Sequence, residues 1–84
     1  MEFHRSAARH GIAADEVIHA VDHAPVVVDM DPGADPPKVL VIGPRNDGQL
    51  FEVIILSLAD DRELVIHAMA LRPTFHNLLP QGDL

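Results

Sequence analysis

Glu52, His67 and Arg72 are the residues whose types could together move a proton and hold an anion. An imidazole exchanges protons near neutral pH, a carboxylate beside it keeps its ring in one orientation, and a guanidinium binds phosphate and steadies developing negative charge. Their separation in the chain matters only if the fold returns His67 to Glu52. The polar stretch Ala59-Asp60-Asp61-Arg62 stands between two β-prone runs and reads as a short hairpin loop. A regular hairpin about that loop sets Ile54 opposite His67 and Glu52 opposite Met69, so Glu52 and His67 become diagonal neighbours on one face. Arg72 continues the second strand toward the same end of the sheet. Such a set suits an acid, a base and a phosphate anchor for cleaving RNA through its 2′-hydroxyl. The same residues also suit an ion cluster that only satisfies itself in a partly buried sheet, or one that binds a partner.

Basic residues elsewhere fall into two groups. Arg5, Arg9 and His10 cluster beside Gly11, and Arg45 sits in a turn; a forked guanidinium there suits phosphate contact in RNA, and equally suits ordinary surface charge lying over a small core. His19 and His23 are four residues apart with Glu16 one turn earlier, a spacing on which Zn²⁺ can be held. The stretch lacks a fourth ligand, and the helical wheel puts these residues opposite the apolar stripe, so neither a metal nor another cofactor is expected.

The elements that must position these residues are legible from periodicity and turn chemistry. Phe3 to Arg9 is expected to form a short helix closed by His10-Gly11. A second helix is expected from Ala13 to His23, with Ala14, Val17, Ile18 and Val21 on one stripe, Asp15 and Glu16 in the first turn, and Pro25 as its stop. Four β-prone runs follow, Val26 to Met30, Lys38 to Ile42, Leu50 to Leu58 and Leu64 to Ala70. The proline-rich stretch Asp31 to Pro37, the turn Gly43 to Gly48 and the loop at Ala59 separate them. Links this short require antiparallel neighbours, because a parallel crossover needs a dozen or more residues. The expected fold is therefore α+β, with amino-terminal helices packed on a four-stranded antiparallel sheet and a short carboxy-terminal segment over Thr74 to Leu79. The strands are apolar at both parities, so both faces of the sheet need cover. Helices cover one, and Thr74 to Leu79 looks too short for the other, which calls for a second copy or a different protein.

Size and composition narrow the possibilities. A chain of 84 residues makes a single domain over 1-84 with a thin core, and the absence of cysteine excludes disulfides and thiolate metal sites. No apolar run approaches the ~20 residues of a membrane span, and the amino terminus shows no export signal, so the expected location is the cytoplasm, with no membrane partner. Three phenylalanines are the only aromatic residues, too few for a stacking RNA surface. The formal charge of −7 opposes phosphate binding unless the few arginines are gathered in one place.

The order of pieces resembles the BrnT-type toxins of bacterial type II toxin-antitoxin systems, which belong to the RelE/ParE superfamily of ribonuclease folds. The resemblance rests on Arg9-His10-Gly11-Ile12 before an acidic helix start, on Val39-Leu40-Val41-Ile42-Gly43, on Gly48-Gln49-Leu50, and on the ending Ile66-His67-Ala68-Met69-Ala70-Leu71-Arg72. It spans Phe3 to about Leu79. It implies helices on an antiparallel sheet, metal-independent RNA cleavage, and a cognate antitoxin protein that masks the site. Arg9, His10 and Arg72 take the places of the family's basic residues. Where the family writes Ile-Ser-Ala-Arg, this chain has Ile66-His67-Ala68-Met69, and Asn77-Leu78-Leu79-Pro80 replaces a Lys/Arg-rich tail. Two functions compete on this basis. One is a ribonuclease toxin, which needs His67, Glu52 and Arg72 in an accessible cleft; the other is a non-catalytic binding or oligomerisation module that keeps the fold.

Overall fold

The computed structural model describes residues 1–80; residues 81–84 of the expected domain lie outside the described residues. Strands β1 (Glu2–Phe3), β2 (Val26–Asp29), β3 (Lys38–Pro44), β4 (Leu50–Ser57) and β5 (Glu63–Ala70) form one sheet in the order β1-β5-β4-β3-β2, with one helix, α1 (Ala14–Asp22), on one face. From β2 to β5 every neighbouring pair is antiparallel, as the short links require. The class is α+β, but two features of the expected architecture are corrected. The sheet has five strands of mixed direction, because Glu2 and Phe3 add a parallel strand beside Leu64 and Val65. The helix expected over Phe3 to Arg9 is only a 3-10 helix at Arg5–Ala8. The physical reason lies in the edge of β5. Its open backbone groups recruit the amino-terminal segment: the His4 amide donates to the Val65 carbonyl at 2.8 Å, and the Ser6 hydroxyl donates to the Ile66 carbonyl at 2.6 Å.

Helix α1 begins without a side-chain cap, since Ala13 has no acceptor to offer. Glu16 instead reaches back to accept from the Ala13 amide at 3.4 Å, and Asp15 and Glu16 place negative charge at the helix start. Val17 and Ala20 are fully buried against Val41, Phe51, Val53, Val65 and Ala68, and this forms the main core. The helix can lie that close to β3 only because position 43 is glycine. A Cβ there would run into the Ala20 carbonyl, which is backbone and cannot swing aside.

Leu40, Ile42 and Val26 are buried on the opposite face, and a second 3-10 helix, Pro73–Leu78, folds back over them. Leu71, Phe75, Leu78 and Leu79 pack there beside Val28, Leu50 and Ile54. The terminal segment thus covers more of this face than its length suggested. It can do so because nearly every third or fourth residue is large and apolar, and because Pro73 turns the chain sharply after β5. No helix among the described residues is long and apolar enough to cross a membrane.

Along the β4–β5 hairpin the pairing changes step once. Ser57, Leu56 and Ile55 face Glu63, Leu64 and Val65, after which Ile54 faces His67, so Ile66 is an extra residue in the ladder. This bulge lets both Val65 and Ala68 point toward α1 while His67 points to the face that carries Glu52.

Candidate functional site

Glu52 is the sole charged residue in the interior of the described residues, with none of its surface exposed. Its position on β4 assigns it to the face covered by the terminal segment, where a bare carboxylate would be costly. Every acceptor position it offers is taken up. His67 Nε2 lies 2.8 Å from Oε2, the Arg72 backbone amide donates to Oε1 at 2.9 Å, and the Arg72 guanidinium donates through Nη2 to Oε2 at 2.7 Å and through Nε to both oxygens at 3.0 and 3.1 Å. Burial pushes the Glu52 carboxyl upward, but the hydrogen bonds from the Arg72 side chain and backbone and from His67 outweigh it, and the group is held below its ordinary value. Glu52 is therefore a carboxylate near neutral pH. A carboxylate only accepts, so His67 carries its hydrogen on Nε2 and keeps Nδ1 as the atom that can gain or lose a proton.

The expected trio is thus brought together. Arg72, at the start of the terminal 3-10 helix, is 47% exposed at its side chain, and its guanidinium lies over the Phe75 ring at 5.5 Å. His67 is 23% exposed at its side chain, so the ring reaches the surface while Glu52 behind it does not. Phe75 was not among the residues singled out from the sequence. Its position three residues beyond Arg72, across a proline, is the signal that would have found it.

His10 joins this group. Its exposed ring stands edge-on to the His67 ring, with centroids 5.8 Å apart at 76°. It also lines a cleft of about 350 Å³ together with Ile12, Glu16, Arg45, Gln49 and Phe51. His10 and Arg45, separate in the sequence, therefore share one cavity. Arg45 is already engaged there, 3.2 Å from Asp47 and 3.7 Å from Glu16. Arg5 and Arg9 are exposed on the amino-terminal segment and line no cavity with them among the described residues. The turn residue Arg45 is thus brought beside His10, one member of the basic group next to Gly11. His19 and His23 stack at 4.2 Å, with His23 Nδ1 within 2.8 Å of the His19 carbonyl, while Glu16 turns away from them toward Arg45.

A second cavity, of about 270 Å³, opens on the α1 side of the sheet beyond the end of the helix, where Val21, Val27, Val39 and Ile55 form its walls. Val27 is 67% exposed. None of the expected site residues reaches it.

No family model matches the chain, and no curated protein or solved structure matches it either.

Proposed function

We propose that this chain is a small metal-independent ribonuclease of the toxin type, kept in check by a cognate antitoxin protein, in which His67 moves the proton, Glu52 fixes the His67 ring and Arg72 meets the scissile phosphate. The observation that carries this reading is the bond between His67 Nε2 and a buried, ionised Glu52. It pre-sets one tautomer and leaves Nδ1 outside the bond to Glu52 on a side chain that is partly exposed, the arrangement a general base for a 2′-hydroxyl needs. A half-exposed guanidinium beside it adds a positive charge where a phosphate would develop negative charge. The antitoxin, the RNA substrate and assembly into a homo- or hetero-oligomer all belong to this proposal.

The test is expression of the chain alone, following growth and bulk RNA, with His67→Ala and His19→Ala side by side. His67→Ala should abolish RNA loss, since removing a positioned acid or base costs about 10²- to 10⁴-fold in rate. His19→Ala should change nothing. Equal behaviour of the two variants, or intact RNA at low salt with the unmodified chain, defeats the reading.

A second reading, a binding module without catalysis, is favoured by a specific observation. Arg72 spends its Nε and Nη2 on Glu52, so its main task in the free chain is internal. The −7 charge points the same way, because it repels a polyanion over most of the surface.

A further inference from the structure

We propose that His10 is a second catalytic histidine: standing between His67 and the 350 Å³ cleft that His10 itself lines, it donates the proton to the leaving oxygen while the cleft takes the nucleotide on one side of the scissile bond. This rests on the ribonuclease reading and names the acid that reading lacks. Transesterification at a 2′-hydroxyl needs two proton transfers at sites a few ångströms apart, one from O2′ and one to O5′. The Glu52, His67 and Arg72 cluster supplies one exchangeable nitrogen, His67 Nδ1, because Nε2 is bound to Glu52. The other two members cannot donate. Glu52 is buried and ionised, and a guanidinium stays protonated.

The structure brings a second imidazole beside the first, whose side chain is 23% exposed. The two ring centroids are 5.8 Å apart with the planes at 76°, so that one phosphodiester can lie against both rings from solvent, and His10 is exposed. The position of His10 is held by backbone rather than chance. The 3-10 helix Arg5–Ala8 is fastened to β5 by the Ser6 hydroxyl bond to Ile66, next to His67, and Gly11 takes a left-handed φ of 72° that turns the chain back toward α1. On its other side His10 forms a wall of the cleft, whose apolar Ile12 and Phe51 and exposed Gln49 amide suit a flat heterocycle with polar edges. The volume lies near the lower end of the range of about 300–1,000 Å³ that small-ligand sites occupy.

The step balances. His67 Nδ1 takes the proton of the 2′-hydroxyl, O2′ bonds to phosphorus, the P–O5′ bond breaks, and the imidazolium of His10 passes its proton to O5′. The products are a 2′,3′-cyclic phosphate and a 5′-hydroxyl, and exchange with water restores both rings.

Two substrates separate this role from a structural one: an RNA oligonucleotide, and a nucleoside 3′-(4-nitrophenyl phosphate) whose leaving group departs without a proton. With the purified full chain, His10→Ala should lower the rate on RNA about 10²- to 10⁴-fold and on the nitrophenyl ester less than about tenfold, whereas His67→Ala should suffer on both. His10→Gln, which keeps the bulk beside His67, should behave as His10→Ala does. An equal loss on the two substrates in both His10 variants overturns the acid assignment and leaves His67 as base. Cleavage of neither substrate by the unmodified chain overturns the ribonuclease reading itself, and this assignment with it.

Discussion

Two arginines bracket β5, and each makes a two-pronged pair with a glutamate on another strand. Arg62, just before the strand, donates through Nε and Nη2 to Glu2 at 2.8 Å each. Arg72, just after it, does the same to Glu52 at 3.0 and 2.7 Å. The chemistry and the distances are nearly identical, and what differs is the carboxylate: Glu2 is 47% exposed at its side chain and Glu52 not at all. Water stands ready to replace Arg62, so that pair holds the short strand β1 to the hairpin lightly. Nothing replaces Arg72. Geometry alone does not rank ion pairs; the alternative open to each partner does.

The sharpest way to break the comparison is to remove the two arginines in turn. Stranding a buried carboxylate typically costs about 3–5 kcal/mol, so Arg72→Ala should lower the urea midpoint far more than any other change in the set. It should also raise the pKa of Glu52 above the ordinary carboxylate range, which a carboxyl-sensitive infrared band would report. Loss of activity in Arg72→Ala is accordingly no proof of phosphate binding unless the fold is checked alongside.

Glu52→Gln tests the same pair from the other side. The partners left behind, His67 and Arg72, reach solvent, so the penalty should be smaller, about 1–3 kcal/mol, the cost of an imperfectly matched buried polar group. A Glu52→Gln chain that proves more stable than Arg72→Ala supports the asymmetry, and the reverse order refutes it.

Acid should expose the difference without mutation. Glu52 has its carboxyl held below the ordinary glutamate value by its hydrogen bonds with Arg72 and His67, so its contribution to stability is fully present above the ordinary carboxylate range and is lost as pH falls through the lowered folded value. Urea midpoints of the unmodified chain should fall steeply below about pH 4.5, and Glu52→Gln should flatten that limb. The smallest effect is expected at the exposed pair. Arg62→Ala should move Tm by no more than about 3 °C, and added salt should shrink even that.

The Glu52 and His67 pairing was legible in the sequence, but by a route that the structure shows to be incomplete. A regular hairpin about Ala59 to Arg62 puts Ser57 opposite Leu64, whereas Ser57 faces Glu63 because Leu58 donates its amide to the Arg62 carbonyl at 2.8 Å. The turn thus shifts the ladder by one residue, and the bulge at Ile66 shifts it back. The expected and observed registers agree at Glu52 opposite Met69 because the two irregularities cancel. Neither is written in residue types: Asp60 and Asp61 signal a turn, but not that both adopt left-handed φ of 61° and 58°, and a bulge at isoleucine has no local signature. The amino-terminal segment was misread as a helix for a related reason. Ala7, Ala8 and their neighbours suit a helix locally, and it is the distant edge of β5 that claims their backbone. The sequence offers His10 as a phosphate contact or as ordinary surface charge; its approach to His67 depends on that same long-range docking. The cover supplied by Phe75 and Leu78 depends on the density of apolar side chains, which the shortness of the segment hides.

The looped-out Ile66 also makes β5 unusual in what its length can tolerate. Elsewhere in a strand, losing one residue turns every following side chain over, and here it would exile Glu52 or His67 from the other. At Ile66 the ladder on either side is already continuous, with Val65 facing Ile55 and His67 facing Ile54, so excision of this one residue closes the strand without rotating it. What excision removes is the protruding carbonyl that anchors Ser6. A chain lacking Ile66 would keep its sheet, its Glu52 and His67 contact and the pairing of Glu2 and Phe3 with β5, while the 3-10 helix that leads to His10 loses its Ser6 anchor, which makes a single codon the natural place to loosen one histidine from the other.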